Sequence, residues 1–281
     1  MKTFSKTPQG HERQAVVPCV VCGATDFRTF WHFADHVYVL CNECGHLFQQ
    51  PMPVSDDLSL RYDQEYFHYE LENAEPFYEL MRLGLEDIGF SFDPRKATSR
   101  RVLDIGCATG RLLQEFGRRG WEPVGVEVCE PAAHYAREHR GVDVFLGTLE
   151  AAAYPEGHFG VVHSSHVIEH IPDARAFARE IHRILAPGGQ LVMVTPDRGG
   201  FQARLFGSRW RSVIPDHVHL FTARGLRRLL EGVGFTVERK VSWGGLARGA
   251  APGWIKRPVD RLAKALNVGD VMLLSARKGS S

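Results

Sequence analysis

The chain has 281 residues, six cysteines and a formal net charge of +1. That length holds one large α/β domain with a small appended module, and a near-neutral charge gives no global pull towards nucleic acid or an anionic membrane. No apolar run approaches a transmembrane helix or a signal core, so a cytoplasmic setting is expected, in which cysteines stay as thiols or bind metal.

Residues 1–15 are polar and are expected to be disordered. In residues 16–53, Cys19-x-x-Cys22-Gly23 and Cys41-x-x-Cys44-Gly45 are separated by eighteen residues. This is the spacing of a zinc site: each pair closes a tight knuckle, and the glycine after it supplies a permissive backbone position. Four thiolates make a closed tetrahedral set with no open position for chemistry, so the expected ion is structural Zn2+ in a zinc-ribbon-like module. Phe27–Leu40, between the knuckles, reads as a short β-hairpin. Pro51-Met52-Pro53 marks a linker, and residues 54–100 read as a helical segment rich in aromatics (Tyr62, Tyr66, Phe67, Tyr69, Phe77, Tyr78) that packs down or covers a cofactor.

From residue 101 the pattern alternates strand and helix. Val102-Leu-Asp-Ile105 runs into Gly106-Cys-Ala-Thr-Gly110, and a helix opens at Arg111. Glycines in such a loop admit a ligand to the backbone, and the helix that follows aims free N–H groups at it. The next strand, Pro123–Val126, ends at Glu127, where a carboxylate grips ribose hydroxyls in nucleotide-type folds. Val142–Leu146 precedes Gly147-Thr148-Leu149, and Phe159–Ser165 leads out through His166. A helix over Asp173–Leu185 turns at Pro187-Gly188-Gly189 into the strand Gln190–Thr195. Short βαβ connections imply a doubly wound, Rossmann-like, mostly parallel sheet, with ligands at the carboxyl ends of the strands. Asp104, Glu127, Thr148 and His166 all fall at those ends. Thr222 caps a helix to Glu231; Phe235–Ser242 and Asp270–Arg277 form an antiparallel closing hairpin, with an amphipathic helix over Pro258–Leu266 between them.

A nicotinamide fingerprint fits poorly, because Ala108 and Arg111 replace the second and third glycines of G-x-G-x-x-G. Asp104-x-Gly106-x-Ala108-x-Gly110 instead resembles motif I of the class I S-adenosylmethionine-dependent methyltransferases, with Ala108 at the usual middle glycine. Gly125-Val-Glu127, His166-Val-Ile-Glu-His170 and Arg183-Ile-Leu-Ala-Pro-Gly-Gly189 resemble later motifs of that family. The cysteine knuckles followed by Tyr62-Asp-x-x-Tyr66-Phe67 resemble members with an N-terminal zinc module. The resemblance runs from Arg101 to about Phe235 and implies a methyltransferase domain over 101–281 with a substrate-side insertion at 197–221. It implies cofactor contacts from Asp104, Gly106, Cys107, Gly110, Glu127, Thr148, Leu149 and His166. Two departures stand out: Gly160 and Thr148 occupy positions where acids are common.

His166-x-x-Glu169-His170 also fits an inverted zinc-peptidase pattern. That pattern belongs on a helix; here it leaves a strand, so a His170 that caps or packs is preferred. In the insertion, His219 and then His217 are the candidate general bases for a hydroxyl acceptor, each weighed against a histidine bonded to a loop carbonyl. Arg209 and Arg211 are candidates for an anionic group on the substrate. The expected activity is O-methylation of a small polar metabolite. The alternatives are an RNA-modifying enzyme with the zinc module as reader, which the near-neutral charge disfavours, and a non-catalytic scaffold. The sequence leaves open the acceptor, the oligomeric state and a second metal near His217 and His219.

Overall fold

A computed structural model describes residues 16–53, 63–244 and 262–280. The disorder expected at 1–15, Tyr62 and most of the helix expected over 258–266 lie outside those residues; residues 262–265 are helical.

The body is a seven-stranded sheet. Its strands are β4 (Arg101–Ile105), β5 (Glu122–Glu127), β6 (Asp143–Leu146), β7 (Phe159–Ser165), β8 (Leu185–Pro196), β10 (Phe235–Trp243) and β11 (Val271–Lys278). Their order is β10-β11-β8-β7-β4-β5-β6. β8, β7, β4, β5 and β6 run parallel, and β11 is antiparallel to both neighbours. The chain reverses its direction of travel across the sheet between β4 and β7. The carboxyl ends of these two strands therefore flank the crevice where ligands bind in open α/β sheets.

Alternation along each strand feeds two cores. Val102, Val161, Val192 and Leu273 face α1 (Gln64–Asp87) and α2 (Arg111–Arg118), against Met81, Leu85 and Phe116. Leu103, Val162, Leu191 and Leu274 face α5 (Ala174–Ile184) and α7 (Ala223–Glu231). α3 (Glu130–Arg140) closes a third cluster through Ala133 and Ala136 against β6. Short polar side chains start the helices. Asp63 accepts from the N–H groups of Glu65 and Tyr66, Asp173 from Ala176, and Thr222 from Gly225.

One expectation is corrected. Pro187–Gly189 is not a turn between helix and strand: α5 ends at Ile184, and these residues lie within β8 as a bulge opposite β7. The missing acid at Gly160 has a steric cause. A Cβ there would stand 2.1 Å from the Ser99 carbonyl oxygen.

The N-terminal segment folds as β1 (Phe27–His32), β2 (Val37–Cys41) and β3 (Leu47–Gln49). Its fourth strand, β9 (His219–Leu220), comes from the insertion and pairs antiparallel with β3. Arg175 of α5 donates to the carbonyls of Val20 and Val21, both at 2.7 Å, and Arg198 to that of Gly45 at 2.7 Å. Each knuckle is thus gripped by an arginine from the body. Val21, Phe48 and Met52 belong to the same core as Ile168, Phe177 and Leu226. Among the described residues no helix is long and apolar enough to cross a membrane.

Candidate active site

β4 delivers Asp104, buried, to the crevice. Its Oδ1 lies 2.6 Å from Nδ1 of His163, its register partner on β7. The turn that follows needs its glycines. Gly106 has φ +74°, and a Cβ there would lie 2.6 Å from Val167 Cγ2; Gly110 has φ +71°, and a Cβ would meet Ala136 Cβ at 2.9 Å. Ala108 takes the left-handed conformation too, at φ +47°. It does so at a cost of roughly 1–2 kcal/mol for a residue with a Cβ. Its N–H donates to Glu127 Oε2 at 2.8 Å.

Glu127 ends β5 with its carboxylate buried. Oε1 accepts from the N–H groups of Val128 (2.9 Å) and Cys129 (2.8 Å). One carboxylate therefore ties the glycine loop to the start of α3. Burial pushes its pKa up, and those backbone donors oppose the rise. α1 lies across this end of the sheet. The Asp63 carbonyl accepts from the Cys129 thiol at 3.9 Å, Phe67 packs against Tyr135 of α3, and Glu75 pairs with Arg111 at 2.5 Å. Glu70 of the same helix is pushed up to about 7 by burial and then by the charge of Glu127, with His166 opposing.

His166, the first residue beyond β7, adopts φ +55°. Few residues with a Cβ adopt that conformation, although histidine does so more often than most. Its N–H donates to the Val194 carbonyl, and Nδ1 donates to Glu169 Oε1 at 3.0 Å. Thr195 Oγ1 donates to the other Glu169 oxygen at 2.9 Å. The His166 side chain is 48% exposed, whereas that of Glu169 is 1% exposed. The pair thus presents one open imidazole at the strand tips on a buried, oriented carboxylate.

The insertion histidines stand elsewhere. His219 is 0% exposed. Nε2 donates to the Pro172 carbonyl at 3.1 Å, so Nδ1 is left to accept from His46 Nε2 at 3.2 Å. Burial pushes its pKa down to about 4. With both nitrogens engaged and no face open, His219 does not meet the geometry of a general base. It joins the N-terminal sheet to the body. His217 is buried as well, and its Nδ1 donates to the Ser212 carbonyl at 2.9 Å. Arg211 pairs with Asp270, which also accepts from Trp210 Nε1. Thr148 caps α4 (Leu149–Ala152) through its side chain, and Leu149 is buried beneath it.

The sulfurs of Cys19, Cys22, Cys41 and Cys44 all lie within 4.8 Å of one another. The Cys19–Cys44 and Cys22–Cys41 separations are 3.6 and 3.5 Å. A tetrahedron of Zn–S bonds of ~2.3 Å has edges of ~3.8 Å, which these spacings approach. Gly23 and Gly45, at φ +80° and +71°, donate to the carbonyls of Cys19 and Cys41 and close the two knuckles.

A model of a methyltransferase domain matches residues 73–240. The chain belongs to the methyltransferase-domain family. The methyltransferase is 35% identical over 105 residues to a ubiquinone biosynthesis O-methyltransferase of Pseudomonas aeruginosa, covering 35% of this chain and 45% of that protein. It is 33% identical over 147 residues to a probable S-adenosylmethionine-dependent methyltransferase of Mycolicibacterium smegmatis, covering 51% and 54%. The chain spans about half the length of the curated relatives it matches. Its fold is shared by an S-adenosylmethionine-dependent methyltransferase of Thermotoga maritima (TM-score 0.54, 22% identity, 77% of this chain and 100% of that one). A second, from Archaeoglobus fulgidus, has a TM-score of 0.53 at 22% identity, over 77% and 100%. The seven-stranded, mostly parallel sheet described above is the fold that these two S-adenosylmethionine-dependent methyltransferases share.

Sequence reasoning overlooked three members of this site. His163 was visible only as part of a strand; its pairing with Asp104 is a matter of register between strands distant in sequence. Glu70 lay unmarked in an aromatic helix. Glu169 was read as part of a motif, without its hold on His166.

Proposed function

We propose that the protein transfers the methyl group of S-adenosylmethionine to a hydroxyl of a small polar metabolite. The observation that carries this reading is Glu127. A buried carboxylate at the tip of β5, hydrogen-bonded to the glycine loop beside it, is a ready seat for ribose hydroxyls. The residues fit that cofactor: Gly106 and Gly110 keep the loop free of side chains, Cys107 backs it, and Asp104 is fixed by His163. Leu149 and Thr148 bound the adenine side, and His166 faces the cofactor from β7. S-adenosylmethionine supplies an electrophilic methyl group on a sulfonium. The protein's part is to align an oxygen with it and keep water away, which is the work of α1.

His166 is the better base than His217 or His219. It is exposed, and Glu169 holds its Nδ1–H, leaving Nε2 to take a proton from the acceptor. The four cysteines hold a structural zinc whose module props up the acceptor side. Tyr38 of β2 donates to the His217 carbonyl at 2.6 Å, and Gln49 of β3 to that of Pro215 at 2.7 Å. Oxygen as the acceptor atom agrees with the name of the ubiquinone-pathway relatives.

Calorimetric titration tests the reading first, with S-adenosylmethionine and with NADH. Micromolar binding of the former alone, followed by turnover of hydroxylated metabolites, supports it. Absence of S-adenosylmethionine binding overturns it in favour of a scaffold.

A further inference from the structure

Outside the cysteine cluster, the described residues bring a second set of metal-ligating side chains together. One carboxylate oxygen of Glu169 and one nitrogen each of His170 and His217 lie within 4.8 Å of one another. They come from two places in the chain. Glu169 and His170 sit in the 3-10 turn that leaves β7; His217 arrives on the insertion loop, two residues before β9.

The imidazoles are set for ligation by what they do with their other nitrogen. His170 Nδ1 lies 2.9 Å from the Asp216 carbonyl and His217 Nδ1 lies 2.9 Å from the Ser212 carbonyl. A carbonyl only accepts, so both Nδ1 atoms carry the proton and both Nε2 atoms keep a lone pair. This is the arrangement by which backbone carbonyls fix the tautomer and orientation of metal-bound histidines. The rings meet edge to face with centroids 4.7 Å apart. Glu169 is oriented through both oxygens, by His166 and by Thr195, and a carboxylate so held keeps lone pairs for a cation. The loop is fixed in turn by Tyr38, whose hydroxyl donates to the carbonyls of His217 and Ile214.

We propose that Glu169, His170 and His217 bind one divalent transition-metal ion at the mouth of the methyl-transfer site. Two imidazoles and one carboxylate suit Zn2+, Fe2+, Co2+ or Mn2+, whereas Mg2+ and Ca2+ favour oxygen donors alone. Three protein ligands leave coordination positions open, unlike the closed set of four cysteines. The ion lies beside Glu169, which is also held by Thr195 and by His166 at the strand tip. Its open positions take oxygens of the acceptor, so the favoured acceptor carries two neighbouring oxygens, as a catechol or a vicinal diol does. A hydroxyl bound to such an ion is acidified, with His166 at hand for its proton. This last step rests on the methyl-transfer reading above; the ion site itself does not. The H-x-x-E-H spacing belongs to a peptidase helix, but here Glu169 and His170 are adjacent in a 3-10 turn and the third donor is remote in sequence.

The test is a metal count on the full chain, equilibrated with Co2+ and freed of unbound ion by gel filtration. Two equivalents are expected. One carries the intense near-ultraviolet charge-transfer absorption of thiolate ligation, and the other adds only weak visible bands. Millimolar Mg2+ leaves the second in place. His217→Ala and Glu169→Gln each lose the second equivalent and keep the thiolate absorption, with circular dichroism reporting the fold. Catechol shifts the visible bands of the wild-type protein. Saturation at one equivalent, all of it thiolate-bound, overturns the site and needs no variant. Retention of two equivalents in folded His217→Ala and Glu169→Gln overturns the ligand assignment, and unmoved bands with catechol overturn the acceptor's role. S-adenosylmethionine binding, measured on the same protein without added cobalt, separates failure of the site from failure of the methyltransferase reading.

Discussion

Glu127 serves two masters at the residue scale: it fastens the glycine loop through Ala108 and faces the space where ribose hydroxyls are expected. Glu127→Ala removes both. The expected loss is about 2 kcal/mol of S-adenosylmethionine affinity, roughly thirtyfold, read by calorimetry; unchanged affinity would remove Glu127 from the site. Glu70 offers a pH test. Its folded-state pKa, about 7, exceeds the ordinary value of 4.5, so the folded protein holds this proton more tightly. Its stabilising contribution is complete below about pH 4.5 and is lost as pH rises towards about 7. Glu70→Gln should therefore flatten the fall in Tm between pH 5 and 8. An identical slope in the variant would show that Glu70 does not titrate there. The strand–turn–helix that carries Asp104, Gly106 and Gly110 was legible because it is local in sequence, and Glu127 because it ends the next strand. His219 was not. Its position in the insertion suggested a base, but only the pairing of β9 with β3 reveals that its ring is buried between His46 and Pro172.

At the scale of elements, the parallel sheet followed from the alternation of apolar runs with amphipathic helices and from short connections. The closing hairpin followed likewise. The bulge in β8 was hidden, because Pro-Gly-Gly reads as a turn wherever it occurs. β7 shows how one position disciplines an element: Gly160 lets the backbone of Ser99 approach, which no acid at that site permits. Gly160→Asp should cost about 3 kcal/mol, a fall in Tm of roughly 6–12 °C by calorimetry or circular dichroism. A stability within 1 °C of wild type would mean the 97–100 segment yields freely.

At the scale of the molecule, the cysteine knuckles are not an appendage. They share a core with α5 and α7 and are held by Arg175 and Arg198. The cysteine spacing announced the knuckles; it carried no sign of this docking, which depends on side chains far along the chain. Cys22→Ser should abolish zinc retention and lower Tm by more than about 10 °C. It should do so in one cooperative transition of the whole body. Two separate transitions, with the later one unmoved, would make the module independent.

The pairing of β3 with β9 sets an order in time. During synthesis β1–β3 leave the ribosome before the large sheet, yet this edge of β3 has no partner until His219 and Leu220 emerge. The five parallel strands β4–β8 must be made before that edge is covered. Contacts so distant in sequence close slowly, and an open strand edge invites pairing with another chain. The β3 edge thus waits through about 170 residues of further synthesis to be sealed, and the nascent protein is open to aggregation there in the interval.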